Sequence, residues 1–217
     1  MSEQPFNPQL RAARFLPRTV ISSRTLPTAR LATKLAGIAQ RPDAQVVSVD
    51  ADVSVHVFRP ASARHPGPAL LLAKERGEIR PVLQLLSYPM LDDRTTTRSD
   101  IDPRRLRIWS QKSNRFGWRA YLGPATADGG VSPLAAPARY DDLSGLPPAW
   151  IGVGTNDLFH DEDVTYARRL QQAGVACALH VVPGAYHAFD SIEGKTAASQ
   201  AFLQAQTTAL DEALNGG

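Results

Sequence analysis

The last third of the chain alternates in a way that few folds accommodate. Residues 150–154 form a short apolar run of strand character, and 161–173 follow with helical spacing and a stop at Gly174. Residues 176–182 form a second apolar run. A second helical stretch over 196–214 carries Ala201, Leu203, Leu210 and Leu214 on or near one face. Parallel neighbouring strands need a crossover of a dozen or more residues, and a helix supplies it. Strand, helix, strand, helix in close succession therefore predicts a parallel α/β layer with right-handed crossovers.

Upstream the signals are more broken. Residues 82–87 are a third apolar run, ended by Tyr88-Pro89. Val46, Val47 and Val49, then Val53, Val55 and Val57, flank the turn Asp50-Ala51-Asp52, which predicts a β-hairpin over 45–59. Residues 7–40 read as largely helical. Asn7-Pro8 suits an N-cap followed by proline, and Leu10, Ala13 and Leu16, then Leu31, Leu35 and Ile38, recur at helical spacing. Pro17 and Thr25-Leu26-Pro27 break that segment. Helical character returns over 70–76, stopped by Gly77, and again over 101–121 after a broken start with Pro103 near its first turn. Residues 129–148 read as a loop.

Composition narrows the function classes. The 217 residues suit one domain or slightly more, and no apolar run approaches the 18 or so residues needed to span a bilayer. Glu3, Pro5 and Pro8 without an apolar stretch read against a secretory signal, and the single cysteine, Cys177, fits a reducing, cytoplasmic compartment. Cys177 sits in an apolar run and reads as a small buried hydrophobe. The cluster Arg104-Arg105-Leu106-Arg107 reads as a solvated helix face and not as a nucleic-acid site. Asp100 and Asp102 precede it, and no aromatic stacking platform accompanies it.

Two segments place polar residues just past the C-terminal ends of predicted parallel strands, where such sheets build their sites. One is Gly152-Val153-Gly154-Thr155-Asn156-Asp157-Leu158-Phe159-His160-Asp161-Glu162, and the other is Gly184-Ala185-Tyr186-His187-Ala188-Phe189. The first segment carries Asp157 and the second His187. A carboxylate that orients a histidine, and a histidine that takes a proton, are two of the three side chains needed for nucleophilic acyl transfer. The plainer alternative makes Asp157 a helix N-cap and His187 a loop residue. His160, Asp161, Glu162 and Asp163 read as a charged helix start instead of a metal cluster, since adjacent helical residues point to different sides and acids favour a helix N-terminus. His180 reads as a packed or edge strand residue. No metal and no cofactor are expected.

These segments, together with Val53-Ser54-Val55-His56-Val57-Phe58-Arg59-Pro60, Pro68-Ala69-Leu70-Leu71 and Pro81-Val82-Leu83-Gln84-Leu85-Leu86-Ser87-Tyr88-Pro89-Met90-Leu91, resemble the hormone-sensitive-lipase-like branch of the α/β-hydrolase esterases. The resemblance implies an α/β fold with a mainly parallel sheet, N-terminal lid helices over 1–44 and a hydrolase core over 45–217. It implies hydrolysis of carboxylic esters, with Asp157 as the acid and His187 as the base. The expected partner is a small-molecule ester or acyl ligand, not nucleic acid.

One part of the pattern is missing. In the family the text at Pro68–Leu71 leads into an oxyanion loop, and the text at Leu72-Ala73-Lys74-Glu75-Arg76-Gly77 follows the nucleophile serine. Here the two abut, and no G-x-S-x-G exists anywhere in the chain. The nearest text, Gly130-Val131-Ser132-Pro133-Leu134, puts a proline where the serine elbow needs a backbone N–H, and Ser87 runs into Tyr88-Pro89 and not into a helix. The absent stretch corresponds to about three strand–helix units, on the order of 100 residues. The expectation is therefore a core without its central strands near the join at 69–76, inactive as it stands, and prone to aggregation along the opened edges. The competing readings are a non-catalytic remnant or binding module and an enzyme completed by another chain.

Overall fold

Among the described residues five strands carry the fold: β1 (Gln45–Ser48), β2 (Ser54–Val57), β3 (Gln84–Ser87), β4 (Ala149–Gly154) and β5 (Cys177–Val182). The structure is a computed structural model and describes residues 6–20, 45–48, 54–57, 67–77, 80–123 and 130–215. Strands β1 and β2 form the predicted antiparallel hairpin, with Gln45 opposite Val57. Strands β3, β4 and β5 form a separate parallel sheet in that order. Both sheets have the topology that the periodicity predicts, but the hairpin does not extend the parallel sheet.

The helices are α1 (Gly67–Arg76), α2 (Gln111–Leu122), α3 (His160–Gln172), α4 (Phe189–Ile192) and α5 (Ala197–Asn215). Helix α1 runs straight through the join. The Ala69-Leu70-Leu71 text that resembles the start of a core strand is wound into the helix instead. Alanine and leucine are strong helix formers, Pro68 is tolerated in a first turn, and Gly77 at φ +66° ends the helix in the left-handed conformation. Leu70 and Leu71 are buried, so packing agrees with propensity.

Strand β4 is buried at all six positions, with helices on both faces of the sheet. On one side Ile151 joins Leu71, Leu86, Leu143, Tyr166 and Leu170. On the other Trp150 joins Val182, Tyr186, Phe189 and Phe202. The join at 69–76 lies in the helix before β3, and β3, β4 and β5 pair with one another without a gap between them, contrary to the expectation of a core opened at its centre.

Three sequence expectations change. Residues 101–110 form turns, and α2 begins only at Gln111, capped by the Ser110 hydroxyl, which accepts from Ser113 N at 3.2 Å. In α5 the face read as apolar points outward: Leu203, Leu210 and Leu214 are exposed, while Phe202, Ala205 and Ala209 pack on the sheet. Small alanines let the helix approach closely around the Phe202 ring. Within 6–20 the chain makes one 3-10 turn, Arg11–Arg14, and not an extended helix, although Leu10, Ala13 and Leu16 do share the inward side. Leu31, Leu35 and Ile38 lie outside the described residues.

Candidate active site

Strands β4 and β5 end side by side, and the loops that follow them touch. Gly154 makes this possible. A Cβ there would lie 2.1 Å from the Ala185 carbonyl oxygen, so only glycine lets the two loops meet. Thr155 N donates to Val182 O at 3.1 Å, Asn156 N to Ala185 O at 3.0 Å, and Gly184 N to the Thr155 hydroxyl at 2.8 Å. Arg105 braces the same turn from outside, with Nε 3.0 Å from Asn156 Oδ1 and a terminal nitrogen 2.8 Å from Thr155 O.

This bracing brings the two candidate residues together. His187 Nδ1 lies 3.0 Å from Asp157 Oδ2. An ionised carboxylate only accepts, so Nδ1 carries the proton and Nε2 is left to act as an acceptor. The Asp157 side chain is wholly buried, and its Oδ1 accepts from Phe159 N at 3.1 Å. The carboxylate therefore both caps the turn before α3 and holds the histidine. Among the described residues this is the sole hydrogen bond of His187, and no serine hydroxyl reaches it.

Three rings hold the imidazole. Tyr88, past the end of β3, meets it edge-on at 4.7 Å between centroids, Phe159 at 5.5 Å and Trp109 at 5.6 Å. The Tyr88 hydroxyl donates to Asp190 Oδ1 at 3.1 Å, and burial pushes its pKa well above the usual phenol range. Tyr88, Ile108 and Ala188 are the described non-glycine residues with positive φ, at 38°, 67° and 61°. All three belong to the walls of this one place: Tyr88 is a wall, Ile108 precedes Trp109, and Ala188 follows His187. Backbone strain concentrated in one spot, of order 1–3 kcal/mol per residue, marks a geometry that the surrounding structure enforces.

The N-terminal segment clamps the walls. Asn7 N donates to Gly184 O and Asn7 Nδ2 to Pro183 O, both at 3.0 Å. Ala12 N donates to Glu193 Oε2 at 3.0 Å, and Ile108 N donates to Pro17 O at 2.8 Å. Arg107 donates to Ala13 O and lies over the Phe6 ring. The arginine cluster is therefore not a solvated helix face: Arg105 and Arg107 are structural braces, and Arg104 alone matches that reading in its exposed pair with Asp102.

The remaining candidates disperse. Asp161 pairs with Arg98 at 2.7 Å and with His160, which hold its carboxyl below the usual range. Glu162 is buried and accepts from Leu91 N, Asp92 N and the Thr95 hydroxyl, yet desolvation pushes it up to about 8. Asp163 is fully buried with no partner for either oxygen, and its pKa is raised well above the carboxylate range by burial. No group of three His, Cys, Asp or Glu among the described residues is arranged to hold a metal ion. His180 packs against Trp150 and Phe202, and Cys177 is a half-buried free thiol that burial pushes up to about 11. Ser132 is exposed in a turn, its hydroxyl accepting from Leu134 N at 3.2 Å. Among the described residues no helix is long and apolar enough to cross a membrane.

The chain is also similar to known proteins. The sequence pattern described as the alpha/beta hydrolase fold matches residues 68–191, more than half of the chain. The chain belongs to the α/β-hydrolase fold family. Its curated relatives include the ethyl acetate hydrolase of Pseudomonas putida, 30% identical over 54% of this chain and 36% of the relative. Another is the carboxylic ester hydrolase LipN of Mycobacterium tuberculosis, 32% identical over 54% of this chain and 31% of the relative. Among solved structures it resembles a bacterial heroin esterase, 32% identical with a TM-score of 0.63, covering 69% of this chain and 48% of that one. It also resembles the esterase LipW of Mycobacterium marinum, 34% identical with a TM-score of 0.59, covering 68% and 46%. The chain thus spans less than half the length of each of these relatives.

Proposed function

We propose that this chain carries the acid–base half of a carboxylic-ester hydrolase and, lacking a nucleophile, does not turn over esters by itself. The observation that carries the reading is the 3.0 Å contact between His187 Nδ1 and the fully buried Asp157 carboxylate, placed past adjacent parallel strands. In this reading Asp157 fixes the imidazole tautomer and stabilises its cation. His187 Nε2 is the base for an incoming hydroxyl and then the acid for the departing alkoxide. Tyr88, Phe159 and Trp109 exclude water around the ring and offer an apolar wall to an acyl or alkyl group.

The missing parts set the rate. An oxyanion donor alone is worth about 10²–10³ in turnover, and the chain holds neither the serine elbow nor the loop that supplies such donors in the family. Hydrolysis of p-nitrophenyl butyrate by the purified chain is expected at background, unchanged by Ser132→Ala or Ser87→Ala. Stoichiometric labelling of one serine by a fluorophosphonate probe would sink the proposal, because it would reveal a working nucleophile.

A further inference from the structure

His187 is held almost wholly through side chains. Among the described residues its backbone makes no hydrogen bond, and its ring makes one, to Asp157. The last torsion of a histidine is broad, so the angle of the ring is set by what surrounds it. A half-turn of the ring would carry Nδ1 away from Asp157 Oδ2 and put a carbon in its place. The loop that carries the ring is closed on itself from one side, where the Tyr186 hydroxyl donates to Glu193 Oε1 at 2.8 Å, seven residues on. From the other side it is tied across the sheet. The Tyr88 hydroxyl donates to Asp190 Oδ1 at 3.1 Å, and the Ser191 side chain also reaches the phenol oxygen. Tyr88 thus bonds to the first turn of α4, just past His187, while its ring stands edge-on to the imidazole at 65° and 4.7 Å between centroids.

We propose that Tyr88 is a positioning residue for His187: the bond from its hydroxyl to Asp190 fixes the phenol ring as the stop that keeps the imidazole turned onto Asp157. This rests on the acid–base reading of Asp157 and His187 and names a residue that keeps the pair aligned. The base of Tyr88 is as firmly placed as its tip. Its N–H donates to Gly152 O at 2.6 Å in β4, and its ring lies parallel to that of Phe202 in α5, at 9°. Its φ of +38° is a conformation that a bulky residue keeps only where several contacts hold it. Tyr88 therefore spans from the sheet to α4 with the imidazole against its edge. Burial, and then the Asp190 carboxylate beside it, raise the phenol pKa, so the hydroxyl keeps its proton and remains a donor.

The test is NMR of the full chain labelled with ¹⁵N-histidine, and its readout is the rate at which the His187 Nδ1 proton exchanges with solvent. Tyr88→Phe keeps the ring and removes the hydroxyl. Asp190→Ala removes the acceptor, whereas Asp190→Asn keeps an oxygen for Tyr88 and removes the charge. Losing a hydrogen bond to a charged group should speed the exchange about tenfold in Tyr88→Phe and in Asp190→Ala. The double variant should be no faster than either single one, since both break the same bond. Asp190→Asn should restore the rate of the unchanged chain. Protection of the Ile151 amide, within β4, should be the same in every variant. An unchanged rate in Tyr88→Phe, or rates that rise only in step with loss of Ile151 protection, would overturn the positioning role and spare the acid–base reading. So would an Asp190→Asn variant as fast as Asp190→Ala, which would make the charge responsible and not the bond. A Nδ1 proton that is indifferent to Asp157→Ala in the otherwise unchanged chain would overturn the acid–base reading and the proposal together.

Discussion

The loops at 154–157 and 184–188 bring Asp157 and His187 into contact, whereas the text at 67–76 departs from the strand it resembles and forms a helix. The first comprises two strand ends and a helix contiguous in sequence, and its geometry is set by short-range devices: Gly154, the Thr155 and Asn156 bonds, and the Asp157 cap. The second follows local helix propensity instead of the strand its text resembles. Text resembling a strand becomes the first turns of α1, and β3 is left at the rim. The contact between Asp157 and His187 is thus encoded by devices close to it in sequence.

The largest effect should come from the helical region at 67–76. Leu71 is 1% exposed and packs with Leu86, Ile151 and Leu170, so Leu71→Ala should cost about 2–5 kcal/mol by thermal or denaturant unfolding. Leu203→Ala, on the outward face of α5, should stay within about 0.5 kcal/mol. Equal effects would mean that α1 is not packed as described and that the contrast between the regions is false.

A pair of glycines sharpens the comparison at somewhat smaller size. Gly154→Ala drives a Cβ into the Ala185 carbonyl and should cost about 3 kcal/mol, loosening the contact between Asp157 and His187 as it does so. Gly77→Ala meets nothing within 4 Å and suffers only from φ +66°, at roughly 1–2 kcal/mol. Differential scanning calorimetry of the two variants reads the difference directly.

The smallest effect is a pH dependence. Asp163 and Glu162 have folded pKa values raised by burial, the second to about 8, against roughly 4 in the unfolded chain. The folded state therefore holds protons that the unfolded state releases. The stability they contribute is complete below pH 4 and falls as pH rises toward 8. Asp163→Asn removes the titrating group, so it should raise Tm by a few degrees at pH 8 and barely change it at pH 4. A Tm gain that is larger in acid would reverse this assignment.

Much of the fold was legible because the C-terminal elements are regular and self-contained. The runs at 150–154 and 176–182 predict β4 and β5, and the motifs after them bring Asp157 and His187 together from 30 residues apart. The walls of the site were not legible. Tyr88, Trp109 and Phe159 converge on His187 from three distant segments, and aromatic residues at strand and turn ends carry no spacing signal. The α5 face misled because leucine counts more than alanine in a periodicity, whereas close packing on a sheet favours alanine. The arginine cluster misled because Arg105 and Arg107 reach carbonyls of the 155 turn and of the N-terminal segment, far away in sequence.

The central claim is the proposed acid–base reading of the contact between Asp157 and His187. Nitrogen-detected NMR of the ¹⁵N-histidine-labelled chain tests it most directly. The account predicts that His187 is the Nδ1–H tautomer, with a low-field N–H proton that disappears in Asp157→Ala. A His187 present as the Nε2–H tautomer, or one whose signals are indifferent to Asp157→Ala, would contradict it.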